Sequence, residues 1–259
     1  MIPQAYITAW RRQAPWRENY QVEQDLIIHR SIIEIFSDDF LRERLVFRGG
    51  TALYKMYLSP AARYSEDIDL VQIKAEPFGT VIDKIRERLL FLGNPRIYQK
   101  LHNNTLVYRM LSEDNVPVKL KIEVNTREHF TVFGIRRILT QLDSEWSNGK
   151  SLVSTYSLEE LLATKLRALY QRKKGRDLFD LRYAINQTEV DIAKVVTAFK
   201  RYMQEEGLSI SQKEFTENLE RKVEDKDFVG DVKSLLRSDI NYDAGEARET
   251  IQTKIIRRL

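Results

Sequence analysis

The sequence predicts an α/β domain followed by an all-helical one. Between residues 45 and 125, short apolar or alternating runs punctuated by glycine alternate with amphipathic stretches, the pattern of strands interleaved with helices. From about Tyr156 onward every apolar periodicity is helical. At 259 residues the chain has room for one or two cores of ordinary size. The expected division is 1–155 and 156–259, with Asp143–Lys150, which contains the turn-prone Ser147-Asn148-Gly149, as the connection.

The elements follow in order. Gln21 to Phe36 carries Val22, Leu26, Ile28, Ile32, Ile33, Ile35 and Phe36 largely on one side of a 3.6-residue period, so it reads as a helix. Leu45-Val46-Phe47, closed by Gly49-Gly50, reads as a strand running into a turn. Thr51 to Leu58 reads as a helix and Asp67 to Val71 as a strand. Pro77 to Leu92 is amphipathic, with Val81, Ile82, Ile85, Leu89 and Leu90 on one side. Thr105 to Met110 is β-rich. In Lys119 to Asn125, Leu120, Ile122 and Val124 alternate with Lys119, Lys121, Glu123 and Asn125, a half-buried strand. Ser157-Leu158-Glu159-Glu160 has the form of a capping box and opens a helix with leucines at 158, 161, 162, 166 and 169. Further helices are expected over 177–186, 189–206, 211–223, 228–237 and 244–258.

Composition narrows the chemistry. Lys plus Arg number 42 against 38 Asp plus Glu, for a net charge of +4, with 42% hydrophobic and 31% charged residues. That describes a globular chain. No apolar run approaches the roughly 18 residues of a membrane helix, and residues 1–4 carry no apolar leader core, so no membrane partner and a cytoplasmic location are expected. The absence of cysteine excludes thiol nucleophiles and thiolate metal sites. His29, His102 and His129 are too scattered for a zinc site.

Three constellations carry chemistry. Gly49-Gly50-Thr51 sits between a strand and a helix, where glycine lets backbone amides approach an anion and the helix start adds unpaired N–H groups. An ordinary turn with Thr51 as N-cap would use the same residues. In Ser65-Glu66-Asp67-Ile68-Asp69-Leu70, Asp67 and Asp69 share one strand face. Such paired carboxylates repel unless protons or hard cations join them. A solvated strand end is the plain alternative. Glu123, one acid between Ile122 and Val124, could join them or pair across strands with a lysine. Together the three could cage two divalent ions beside a triphosphate cradle, and no nucleophilic side chain would be needed.

The helical half adds Lys165, which interrupts the leucine stripe and so needs a charged partner or ligand. Asp177 and Asp180, at i and i+3, share a helix face. Either Lys165 staples two helices through these acids, or the cluster contacts a ligand. Arg167, Arg172, Lys173, Lys174 and Arg176, edged by Tyr170 and Tyr183, form a basic group suited to nucleic acid, although short charge clusters are usually solvated surface. Lys254, Arg257 and Arg258 form a second group.

Phe47-Arg48-Gly49-Gly50-Thr51-Ala52-Leu53, followed by Arg63-Tyr64-Ser65-Glu66-Asp67-Ile68-Asp69-Leu70, resembles the AbiEii/AbiGii toxin family of nucleotidyltransferases, within the DNA polymerase β-like superfamily. Ala14-Pro15-Trp16 and Val22-Glu23-Gln24-Asp25-Leu26 are similar to that family's opening segment. Lys165, Gln171-Arg172 and Arg176-Asp177-Leu178-Phe179-Asp180 are similar to its second block. The separation of Thr51 from Asp67 is slightly longer than the superfamily's usual spacing, near Ser59-Pro60-Ala61-Ala62. The resemblance implies a polymerase β-like domain with a short mixed sheet flanked by helices, then a helical domain completing the cleft. It implies Mg²⁺ (or Mn²⁺) on Asp67, Asp69 and Glu123, and an NTP triphosphate on Gly49, Gly50, Thr51 and Ser65, neutralised by Arg63 and Lys165. Asp177 and Asp180 would support base, ribose or Lys165. The implied activity is that of a toxin–antitoxin or phage-defence toxin transferring NMP to RNA, foremost the 3′ end of tRNA, which would stop translation. The implied antitoxin has a winged-helix DNA-binding part. A protein or small-molecule hydroxyl as acceptor, and a non-catalytic nucleotide- or RNA-binding module, remain the alternatives.

Overall fold

The computed structural model describes residues 2–259, in two compact units that divide between Tyr156 and Ser157. In the first, α1 (Gln4–Trp10), α2 (Asn19–Ser37) and α3 (Asp39–Arg42) precede β1 (Leu45–Arg48), α4 (Gly49–Met56), β2 (Asp67–Gln72) and α5 (Gly79–Arg88). Then come β3 (Arg96–Lys100), β4 (Asn103–Leu111), β5 (Pro117–Asn125), β6 (Arg136–Ser144) and β7 (Ser147–Thr155). The seven strands form one mixed sheet in the order β3-β4-β5-β2-β1-β7-β6. Only the β2–β5 and β1–β7 neighbours are parallel.

Period-two alternation sorts the strands onto two faces. Phe47, Leu70, Ile68, Ile122, Val124 and Val153 are fully buried on one, where α2 lies across the sheet, with its Phe36 ring 6.5 Å from that of Phe47. Each such side chain contributes roughly 1.5–3 kcal/mol by leaving water. The other face carries Arg48, Asp69, Asp67, Lys121 and Glu123. The expected connection at Asp143–Lys150 is instead the tip of the β6–β7 hairpin, which pairs Ser144 with Ser147.

The second unit holds α6 (Leu158–Gln171), α7 (Gly175–Gln187), α8 (Ile192–Glu205), α9 (Gln212–Val223), α10 (Lys226–Gly230) and α11 (Ala244–Lys254). Ser157 caps α6 by accepting the Glu160 amide proton at 3.2 Å, while the Glu160 carboxylate accepts from the Tyr202 hydroxyl at 2.9 Å. The helix expected over 228–237 breaks into α10 and a short 3₁₀ turn at Lys233–Leu235. No helix among the described residues is long and apolar enough to cross a membrane.

Candidate active site

The sheet register assembles the first group of acids. Asp69 stands opposite Glu123 on β5, Asp67 opposite Lys121, and Arg48 opposite Asp69 on β1. Three carboxylates from two strands thus occupy adjacent places on one face. The Glu123 carboxylate is drawn to Lys121 Nζ at 2.5 Å, and Arg48 donates to Glu128 at 2.7 Å. As they stand, no three His, Cys, Asp or Glu side chains among the described residues close on a common point. Burial, and next the neighbouring Asp69, push the Asp67 carboxyl up to about 6, against the pull of Lys121. An acid raised in this way gains from any cation that joins it. The donor set is all oxygen, the set that Mg²⁺ and Mn²⁺ take, and the residues fit such ions once Glu123 exchanges Lys121 for the metal.

The glycines meet these acids directly. β1 passes into α4 with no intervening loop, and Gly49 at the junction has φ of +83°. A Cβ there would collide with Asp69 Oδ2; one on Gly50 would collide with the Arg63 guanidinium and lie 3.2 Å from Ser65 Oγ. Only glycine gives both the left-handed turn and the close approach. The α4 start thus abuts the Asp69 carboxylate, at the end of a helix where backbone N–H groups favour negative charge. Thr51 is not the N-cap. It lies in the first turn of α4, buried, and its hydroxyl donates to the Asp67 carbonyl at 2.5 Å and lies 2.9 Å from Ser65 Oγ. It thereby ties the helix to the start of β2.

Arg63 is 2% exposed, donates to the Tyr64 carbonyl at 3.0 Å and packs over the Tyr54 ring. With Thr51 and Ser65 it lines a cavity of about 90 Å³ that runs back to Trp10, Trp16, Asp25 and Lys55. Those residues belong to a clamp that motif reading alone did not resolve. Trp10 Nε1 and Lys55 Nζ both reach Asp25 Oδ1, at 2.9 and 2.7 Å. Tyr64 donates to Gln24 at 2.6 Å, and Trp16 meets the Tyr64 ring edge-on. The N-terminal segment therefore fixes the loop that delivers Arg63 and Ser65. The available signal was two polar residues, Gln24 and Asp25, inside an apolar helix.

Lys165, Asp177 and Asp180 come together within the helical unit. Lys165 is 6% exposed, and its Nζ lies 3.1 Å from Asp177 and 2.9 Å from Asp180, both fully buried. Arg172 grips Asp177 in a fork, at 2.7 and 2.9 Å. Burial works against the Asp177 carboxylate, but Lys165 and Arg172 outweigh it and hold the group below the usual carboxylate range. The basic group is likewise paired within its own unit. Arg167 meets Glu206, Lys173 meets Asp225, and Lys174 and Arg176 meet Asp231.

The model of the family described as nucleotidyl transferase AbiEii toxin, type IV toxin–antitoxin system, matches residues 31–252. The chain belongs to the AbiEii family. It is therefore a nucleotidyltransferase of the toxin class. This AbiEii chain matches no curated protein. Its fold is shared with MenT4, a nucleotidyltransferase toxin from Mycobacterium tuberculosis H37Rv, at a TM-score of 0.62 and 17% identity over 100% of this chain and 91% of that one. It is also shared with an H. pylori protein assigned as a nucleotidyltransferase, at 0.60 and 20% identity over 92% and 93%.

Proposed function

We propose that this AbiEii nucleotidyltransferase transfers a nucleoside monophosphate from an NTP to the terminal hydroxyl of an RNA, foremost the 3′ end of tRNA, with Mg²⁺ or Mn²⁺. The observation that carries this reading is the placing of Asp69 between Glu123 and the glycine-built start of α4. Asp67, Asp69 and Glu123 would hold the metal ions, which supply charge neutralisation and a more acidic acceptor hydroxyl. Amides at Gly49 and Gly50 and the hydroxyl of Ser65 would receive the triphosphate, with Arg63 behind them and Thr51 holding α4 to β2. In the transfer the acceptor oxygen bonds to the α-phosphorus, the α–β bridging bond breaks, and pyrophosphate leaves with that electron pair. Glu123 takes the acceptor's proton. Catalysis of this kind is positioning and electrostatics, which suits a chain without a cysteine or paired histidines.

The resemblance would also bring Lys165 to phosphate, but its buried ion pairs with Asp177 and Asp180 support a staple within the helical unit. Modification of tRNA ends would block translation, and the cognate antitoxin would carry a winged-helix DNA-binding part. The test is incubation of the purified chain with each labelled NTP, Mg²⁺ and total tRNA. Absence of transfer by folded wild type would sink the reading, and equal transfer by Asp67→Ala and Asp69→Ala would reject the site. Label found in protein or in a small molecule would move the acceptor to that class.

A further inference from the structure

The face that holds the carboxylates continues outward across β5, β4 and β3. The register defines its rows: Asp69, Glu123, Thr105 and Tyr98 stand side by side, and so do Asp67, Lys121, Val107 and Arg96. One row further along β3 and β4, Lys100 pairs with Asn103; further out on β4 and β5, Arg109 pairs with Lys119. All of these share the carboxylate face, because ladder partners point the same way. Arg96, Tyr98, Lys100, Arg109 and Lys119 are exposed, Tyr98 at 48%. The ion pairs of the described residues take up Lys121 through Glu123 and leave Arg96, Lys100, Arg109 and Lys119 out. The turn acids Glu113 and Asp114 lie beyond the last ladder pair, Leu111 with Pro117.

An edge strand carries charge to prevent pairing with other sheets, and that accounts for Arg96 and Lys100. It accounts neither for an exposed tyrosine between them on the same face nor for two further cations on the inner strands. We propose that this face is the acceptor platform: a single-stranded nucleic-acid end lies across β3–β4–β5, with a base stacked on Tyr98 and its phosphates against Arg96, Lys100, Arg109 and Lys119. The occupant follows from the chemistry. Cations flanking an aromatic ring are how sequence-tolerant single-strand binders work, and the row that begins at Tyr98 ends at Glu123 and Asp69. Two strand spacings, about 10 Å, separate Tyr98 from Glu123. A strand laid along that row delivers its terminal hydroxyl to the carboxylates. The proposal rests on the RNA-acceptor reading above and gives it a surface separate from the basic group of the helical unit, whose charges are already paired.

The test measures binding of a short, 5′-labelled single-stranded RNA with a free 3′-hydroxyl to the full chain by fluorescence anisotropy, beside transfer kinetics. Tyr98→Ala weakens binding roughly 5- to 150-fold, the value of one base–aromatic stack. The Arg96→Ala/Lys100→Ala pair weakens it and lowers the slope of log K against log salt by about 1.4, two single-strand phosphates. Gln99→Ala, on the same strand but the opposite face, changes neither. In transfer, Tyr98→Ala raises the acceptor KM and leaves the NTP KM unmoved. RNA affinity unchanged in both Tyr98→Ala and Arg96→Ala/Lys100→Ala overturns the platform. Binding that shows these dependences in a wild type unable to transfer any NMP keeps the platform and overturns the donor-site reading instead.

Discussion

Two clusters of aspartates in this chain have opposite electrostatic fates. On β2 and β5, Asp67, Asp69 and Glu123 crowd one sheet face with Lys121, and burial and mutual repulsion raise the Asp67 carboxyl to about 6. Between α6 and α7, Asp177 and Asp180 are more deeply buried, yet Lys165 and Arg172 hold Asp177 below the usual range. Burial opposes ionisation in both places, so the supply of internal cations decides the sign. The helical cluster carries its own cations and is complete. At Asp67 the pull of Lys121 does not offset burial and the neighbouring Asp69, so that group gains from a cation arriving from outside.

The largest expected effect tests the completed cluster. Lys165→Met leaves two buried carboxylates with one fewer partner and should lower stability to urea by about 3–5 kcal/mol, followed by far-UV circular dichroism. Lys165→Arg should recover part of it. If Lys165→Met costs under about 1 kcal/mol while kcat falls, Lys165 is a ligand group and the contrast between the clusters fails. Asp67→Asn should do the reverse. Transfer should drop roughly 10²- to 10³-fold, the scale for losing one preorganised electrostatic group. The metal-free protein should become more stable, by on the order of 1–3 kcal/mol, because a raised acid opposes folding when ionised. A fall in its melting temperature would show that the sheet cluster is internally compensated after all.

Metal linkage comes next. At a concentration of 100 times its Kd, Mn²⁺ or Mg²⁺ should stabilise the wild type by about 2.7 kcal/mol, with a much smaller rise in Asp67→Asn. Differential scanning calorimetry with and without metal reads this directly. An equal rise in both proteins would place the ion elsewhere.

The contrast between the clusters was only partly legible in the sequence. Asp67 and Asp69 share a face by strand periodicity alone, and the leucine stripe around Lys165 announced a buried cation. That Glu123 falls opposite Asp69 depends on a parallel pairing between strands about fifty residues apart, and periodicity carries no register. The α/β-then-helical class was readable because strands such as Lys119–Asn125 are half-buried. β3 was not, because all five of its residues are exposed and none marks an inward face. The β6–β7 hairpin hid for a related reason: Leu139 and Leu152, cross-strand partners, are apolar yet exposed, which breaks the alternation. Which acids pair with the cluster Arg167–Arg176 was not legible either, since Glu206, Asp225 and Asp231 lie at the ends of later helices and only Asp177 is near in sequence.

The smallest expected effect separates the two units along the pH axis. His29 in α2 donates its Nε2–H to the Gln141 carbonyl, 3.1 Å away, and its ring meets Trp10 edge-on. Burial, and next the nearby Lys55, push it down to about 4. The unfolded chain then binds more protons than the folded one between about 4 and 6.5, so this group's contribution is complete above its unfolded pKa and is lost as pH falls through that window. Asp67 works the other way in much of the same range, since protonating a raised acid favours the folded form, and the two partly cancel in the wild type. Comparison with His29→Gln isolates the histidine. The stability advantage of the variant should grow by about 1–3 kcal/mol from pH 7 to pH 4, read by tryptophan fluorescence, because Trp10, Trp16 and Trp146 all lie in the first unit. Asp177, depressed by its cations, keeps its contribution until pH falls below the ordinary carboxylate value, so the helical signal of the second unit should hold to lower pH. Simultaneous loss of both signals near pH 5, in wild type and His29→Gln alike, would mean that the units unfold as one and that neither His29 nor Asp177 sets the acid limit.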